Sequence, residues 1–178
     1  MRMKGKDYSD PGMYFITFNT KDWVHWFGEI KEGQIYYSEI GILAKKIIEN
    51  IPQHFKNTII DTYVIMPDHI HAIIEILPAV PPVPSPHGAM PQAENSLMPQ
   101  AEKEINPHHN PQWKKGTIGV IINQFKSSVT REIRKQNPNS TFAWQSKFHD
   151  HILRCWDIER VRNYINNNIQ NWEKKKKK

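Results

Sequence analysis

The chain has 178 residues, 38% hydrophobic and 24% charged, a balance that excludes wholesale disorder and a length that suits one well-cored domain better than two. The formal net charge is +6, but Lys174 to Lys178 carry five of those charges, so the remainder is near neutral and charge alone identifies no nucleic-acid partner. No apolar run approaches the length of a membrane span and the N-terminus has no signal-peptide hydrophobic region, so a cytoplasmic protein with no membrane partner is expected, its single Cys155 a buried thiol without an internal disulfide.

In chain order, Met13 to Asn19 (MYFITFN) is aromatic and β-branched and predicts a first strand. Trp26 to Tyr37 predicts a hairpin turning at Lys31-Glu32-Gly33-Gln34. Ser38 offers an N-cap to a helix whose apolar stripe is Ile40, Leu43, Ala44, Ile47, Ile48 and Ile51, ending at Pro52.

Two apolar runs follow, Ile59 to Met66 and His69 to Leu77, broken at Met66-Pro67-Asp68, which predicts two adjoining buried strands. Side chains alternate along a strand, so His69 and His71 share one face and Ile70 takes the other. Two imidazoles about 7 Å apart along a sheet face have the spacing to grip one metal ion, although the same pattern also suits two packed histidines.

From Pro78 the composition changes. Residues 78–112 hold most of the prolines and repeat MPQAE at Met90–Glu94 and Met98–Glu102, which predicts a loosely held insertion that builds no core. Thr117 then caps a helix over Ile118 to Gln136, with Ile118, Ile121, Ile122, Phe125, Val129 and Ile133 on its core face. Lys126, Arg131, Arg134 and Lys135 form the other face, whose plain reading is a solvated surface. Trp144 to Leu153 reads as a further strand.

Asp157 is placed as the cap of a final helix running to about Trp172, with Ile158, Val161, Ile165, Ile169 and Trp172 as its core stripe. Tyr164 and Asn168 stand four apart on one shoulder of that stripe, as a core-edge tyrosine with its neighbour or as a phenol and a carboxamide meeting one ligand. The order of elements predicts an α+β fold, an antiparallel sheet with helices packed on it.

The blocks MPDHIHAIIEI, GTIGVIINQFKSSVTREI, WQSKFHDHILR and VRNYINNNIQNW stand in that order and cover most of the chain outside the proline-rich stretch. Together they resemble the REP-associated tyrosine transposases, a branch of the single-tyrosine HUH transposases. The resemblance implies a ferredoxin- or RRM-like sheet with His69, Ile70 and His71 as the His-hydrophobe-His motif on a central strand. It makes Tyr164 the nucleophile, in a segment of the type Tyr-Ile-x-x-Asn-Pro, and Asn168 the residue that completes a metal site with His69 and His71. Ile169 departs from the family's Pro.

The implied activity is metal-dependent nicking and joining of single-stranded or hairpin DNA through a 5′-phosphotyrosine, with Mg²⁺ or Mn²⁺ as cofactor. Lys126, Arg131, His151 and Arg154 are the residues expected to contact DNA. The protein is expected to act as a monomer or a homodimer. Two other readings remain at this stage: a DNA-binding relative without productive cleavage, and a metal-dependent hydrolase in which Tyr164 is structural. Tyr63 is the alternative nucleophile.

Overall fold

The computed structural model describes residues 10–78 and 117–176. In chain order the elements are β1 (Gly12–Asn19), β2 (Gly28–Lys31), β3 (Gln34–Tyr37), α1 (Glu39–Glu49), α2 (Ile51–His54), β4 (Thr58–Ile65), β5 (His69–Ile76), α3 (Ile118–Gln136), β6 (His149–Ile152), α4 (Cys155–Asn166) and α5 (Asn168–Lys176). Four strands form one antiparallel sheet in the order β4-β5-β1-β6, while β2 and β3 pair as a separate hairpin. Setting the hairpin aside, this is the βαββαβ arrangement of ferredoxin-like folds, and the α+β class expected from the sequence is the one observed.

Local chemistry accounts for most element boundaries. Glu32 and Gly33 both take positive φ, 51° and 73°, which closes the β2–β3 hairpin through the two-residue turn whose twist matches its strands. Ser38 caps α1 by accepting from the Gly41 amide at 3.1 Å, and Thr117 caps α3 by accepting from that of Val120 at 3.3 Å. Pro52 sits in the first turn of α2, where its missing N–H costs nothing.

The sheet is covered on both faces. Tyr14, Ile16 and Phe18 of β1 and Ile70, Ala72, Ile74 and Ile76 of β5 point to one side, where α1 and α3 bury them. Phe15 of β1 and Ile73 of β5 point to the other side and pack with Val161 and Ile165 of α4 and with Ile169 and Trp172 of α5. Burial on both faces explains why β5 is apolar almost throughout, and why its two histidines stand out.

Four expectations change. The strand foreseen over Trp144 to Leu153 shrinks to four residues, because the Trp144 indole turns into the aromatic cluster of Phe18, Phe27, Phe125 and Phe142 and its Nε1 donates to the Lys126 carbonyl at 3.1 Å. The backbone at Trp144 keeps only an isolated bridge to Thr20.

The final helix is two helices, since Asn167 leaves the α-helical conformation and its side chain folds back onto the Asn163 carbonyl at 2.8 Å. Asp157 is not its cap. The β1–β6 ladder runs on to Leu153, so Arg154 takes the cap position and Asp157 lies one turn inside, bonded to Arg160 at 2.6 Å. Cys155, expected to be buried, begins α4 on its solvent side and is exposed.

Beyond Pro78, the proline-rich insertion foreseen over residues 78–112 lies outside the described residues, as do Lys177 and Lys178 of the basic tail. Among the described residues, no helix is long and apolar enough to cross a membrane.

Candidate active site on the α4 face of the sheet

The β1–β5 register sets Thr17 opposite His71 and Asn19 opposite His69, so four polar side chains share one end of the α4 face. The two imidazole rings lean together, 4.6 Å between centroids and 71° between planes, closer than their spacing along the strand. Phe15 stacks on His71 at 5.3 Å, and Trp172 of α5 lies against His69 at 5.8 Å. The histidines therefore sit between aromatic walls.

Each imidazole is held by the same nitrogen. Thr17 Oγ1 is 2.8 Å from His71 Nδ1, and Asp68 Oδ1 is 2.5 Å from His69 Nδ1. A partner at Nδ1 fixes the ring's direction and, when Nδ1 carries the proton, leaves the Nε2 lone pair outward. The other Asp68 carboxylate oxygen lies 4.0 Å from His25 Nε2. The Asp68 backbone carbonyl accepts from the Thr20 amide and hydroxyl, both at 2.9 Å, so the carboxylate hangs from a fixed backbone.

Tyr164 reaches this cluster from α4. Its hydroxyl is 3.2 Å from His71 Nε2, its ring meets His71 edge-on at 5.2 Å and Phe15 at 6.1 Å, and it remains 43% exposed. Two anchors flank it in sequence. Ile165 is fully buried, and Arg162 grips Asp61 through both carboxylate oxygens, Nε to Oδ2 at 2.9 Å. Asp61 sits at the β4 irregularity between Ile60 and Thr62, where the extra residue escapes the ladder and aims its side chain at the helix. The phenol is thus held from the sheet below.

Among the described residues, no three His, Cys, Asp or Glu side chains gather as a metal cage. A cation at His69 and His71 would need ligands beyond the two imidazoles. Asn168, expected as the third ligand, is buried and opens α5, directly after the break at Asn167. Sequence reasoning missed Asn19. It is 3% exposed, its amide nitrogen donates to Gln145 Oε1 at 3.0 Å, and its Oδ1 has no hydrogen-bond partner. An orphaned oxygen beside two imidazoles whose Nδ1 atoms are occupied is a donor set that fits a divalent cation.

The four residues foreseen as DNA contacts fall in two places. Lys126 and Arg131 line an open groove of about 450 Å³ with Ser127, Thr130, Arg134 and Trp144, on the helix that covers the far face of the sheet. Burial lowers the Lys126 pKa from the ordinary lysine value, and its ammonium donates to the Gln145 carbonyl at 2.6 Å. His151 and Arg154 lie on the Tyr164 side. His151 pairs with Phe15 in the ladder, whereas His149 pairs with Thr17 and is level with His71. Both histidines are exposed. Tyr63, the alternative nucleophile, pairs with Ala72 on the α1 side and donates to Glu49; burial and that carboxylate raise its pKa above the tyrosine range.

Comparison with known proteins places the chain in a family and identifies its fold. The chain is 34% identical over 177 residues to an uncharacterized protein of Haemophilus influenzae, a match spanning 97% of this chain and 88% of that one. A solved REP-associated tyrosine transposase, bound to a REP hairpin, superposes with a TM-score of 0.56 at 15% identity, covering 94% of this chain and 72% of the other. No family model matches.

Proposed function

Because the chain belongs to the family of that Haemophilus influenzae protein and has the fold of a REP-associated tyrosine transposase, we propose that it nicks and rejoins single-stranded or hairpin DNA with Tyr164 as nucleophile. The observation that carries this reading is the 3.2 Å approach of the Tyr164 hydroxyl to His71 Nε2, on a half-exposed phenol beside a paired-histidine site.

His69 and His71 would hold a divalent cation, with the carboxamide oxygens of Asn168 and Asn19 as further ligands. When bound there, a divalent ion such as Mg²⁺ or Mn²⁺ would polarise the scissile phosphate. Thr17 and Asp68 lie at the Nδ1 atoms of the two imidazoles, which in the Nδ1–H tautomer turns the Nε2 lone pairs toward a ligand. Aromatic walls at Phe15 and Trp172 limit water around them.

A neutral phenol is a weak nucleophile, so orientation matters. The Tyr164 oxygen forms a bond to phosphorus and gives its proton to solvent, while the bond to the 3′-oxygen breaks and that oxygen takes a proton from solvent, leaving a 3′-hydroxyl and a 5′-phosphotyrosine. Attack of a 3′-hydroxyl on that ester runs the same steps backward and rejoins the strand without ATP, because the phosphodiester energy is kept in the tyrosyl ester. Lys126, Arg131, His151 and Arg154 contact the DNA backbone.

The test is incubation with labelled single-stranded hairpin DNA and Mn²⁺, read on a denaturing gel. A covalent protein–DNA adduct is the expected outcome. Binding without cleavage would convert the protein into a DNA-binding relative, and cleavage without an adduct would make it a metal-dependent hydrolase.

A further inference from the structure

Trp156 is the most exposed of the large hydrophobic side chains among the described residues, at 69%. Single exposed apolar residues are ordinary on protein surfaces and by themselves signal nothing. The placement of this one is specific. Trp156, Arg160 and Tyr164 recur every four residues along α4, so they form one stripe on the same side of the helix. Trp156 and Tyr164 lie about 12 Å apart at the helical rise of 1.5 Å per residue. That span equals roughly three to four stacked nucleotides.

Cations accompany the ring. The Arg154 guanidinium carbon stands 5.4 Å from its centroid, and Arg160, 78% exposed, lies between Trp156 and Tyr164. Two acids share this part of the helix, and both are engaged: Asp157 with Arg160 and Glu159 with Arg162 at 2.5 Å. Arg154 begins the stripe as the residue in the α4 cap position. An exposed indole flanked by guanidinium groups matches a nucleotide, whose base offers a π-face and whose phosphate offers charge.

We propose that Trp156 is a stacking platform for an unpaired base of single-stranded DNA, with Arg154 and Arg160 meeting the adjoining phosphates. This rests on the reading of Tyr164 as a DNA nucleophile, and it adds a direction: the strand runs along α4 from Trp156 toward the two histidines. Because every base has a π-face, the platform contributes affinity and register with little sequence preference.

The experiment measures binding of the full chain to a short fluorescein-labelled oligodeoxyadenylate and to an abasic strand of the same length. The two probes carry the same phosphates and differ only in bases. Wild type should favour the base-bearing strand. Trp156→Ala should weaken binding to it roughly 5- to 150-fold, the range for loss of one stacked base, while affinity for the abasic strand stays unchanged. Trp156→Phe, which keeps a stacking ring, should restore most of the loss.

An equal loss on both strands, no loss on either, or a wild type blind to the bases would overturn the platform. The Mn²⁺-dependent adduct on hairpin DNA is scored separately at saturating DNA. Adduct formation without base-dependent binding leaves the nucleophile and removes the platform, whereas base-dependent binding through Trp156 without an adduct does the reverse.

Discussion

The Tyr164 hydroxyl and Thr17 Oγ1 hold opposite nitrogens of one imidazole, that of His71, at 3.2 and 2.8 Å. Thr17 occupies Nδ1 from within the sheet, while Tyr164 meets Nε2 from the helix above. A phenol and a cation cannot both occupy that lone pair. A cation bound at His71 Nε2 would therefore free the hydroxyl from the ring, while α4, anchored by Arg162 and Ile165, keeps it close.

Replacing Tyr164 by Phe should abolish the covalent adduct, because the ring stays and the only atom able to take the phosphate is gone. The variant loses one half-exposed hydrogen bond, so stability should fall by no more than about 0.5–1.5 kcal/mol. DNA affinity should stay close to wild type. Gel analysis of the adduct and a thermal melt of the same preparation check this together; an undiminished adduct would end the assignment.

Asp68→Asn and Thr17→Val leave both imidazoles in place and remove what orients them. Each should weaken metal binding about 10- to 100-fold, the usual cost of losing an outer partner of a ligating histidine. His69→Ala and His71→Ala should eliminate binding. Asn168→Ala should weaken it with some adduct recovered in excess Mn²⁺, since two imidazoles remain. Calorimetric titration with Mn²⁺ ranks the five, and wild-type affinity in His71→Ala would place the ion elsewhere.

Tyr63 serves as the control on the opposite face. Tyr63→Phe should leave the adduct intact and cost about 1 kcal/mol from the lost bond to Glu49. Its pH behaviour has a definite sign. Burial and the Glu49 carboxylate raise the folded pKa above that of an ordinary tyrosine, so the contribution is complete at neutral pH. It declines as pH rises past about 10, where the unfolded tyrosine ionises and the folded one resists. The melting-temperature difference between wild type and Tyr63→Phe should shrink on that side only; a constant difference to pH 11 would contradict the sign.

What the sequence showed was what neighbouring residues decide. Ser38 and Thr117 cap helices by bonding amides three residues away, and His69 and His71 share a face because strands have a period of two. Thr17 and Asn19 were illegible because their roles depend on a register between residues 54 and 50 positions apart in the chain. Asp68 was visible beside His69, but an Asp after Pro also reads as ordinary turn chemistry. Trp144 continued an apolar pattern and so resembled a strand; only the surrounding phenyl rings reveal that its indole is a core plug. In Asn166-Asn167-Asn168 the same residue type suits a helix interior poorly and a break well, and tertiary packing of Ile165 and Ile169 decides where the break falls.

The far-side groove separates the two ways a basic residue can matter. Arg131 is 72% exposed and its nearest acid is Glu132 at 3.6 Å, so Arg131→Ala should leave stability unchanged. If DNA wraps onto α3, that substitution lowers affinity evenly across sequences and reduces the salt slope of binding by about one. Lys126 is different, because its ammonium holds the Gln145 carbonyl and lies 5.8 Å over Trp144. Lys126→Ala should therefore lower both DNA affinity and melting temperature, loosening the loop that carries Gln145 to Asn19. A wild-type salt slope in both variants would take α3 off the DNA path and confine the strand to the α4 face, where Arg154 and His151 would carry the phosphates.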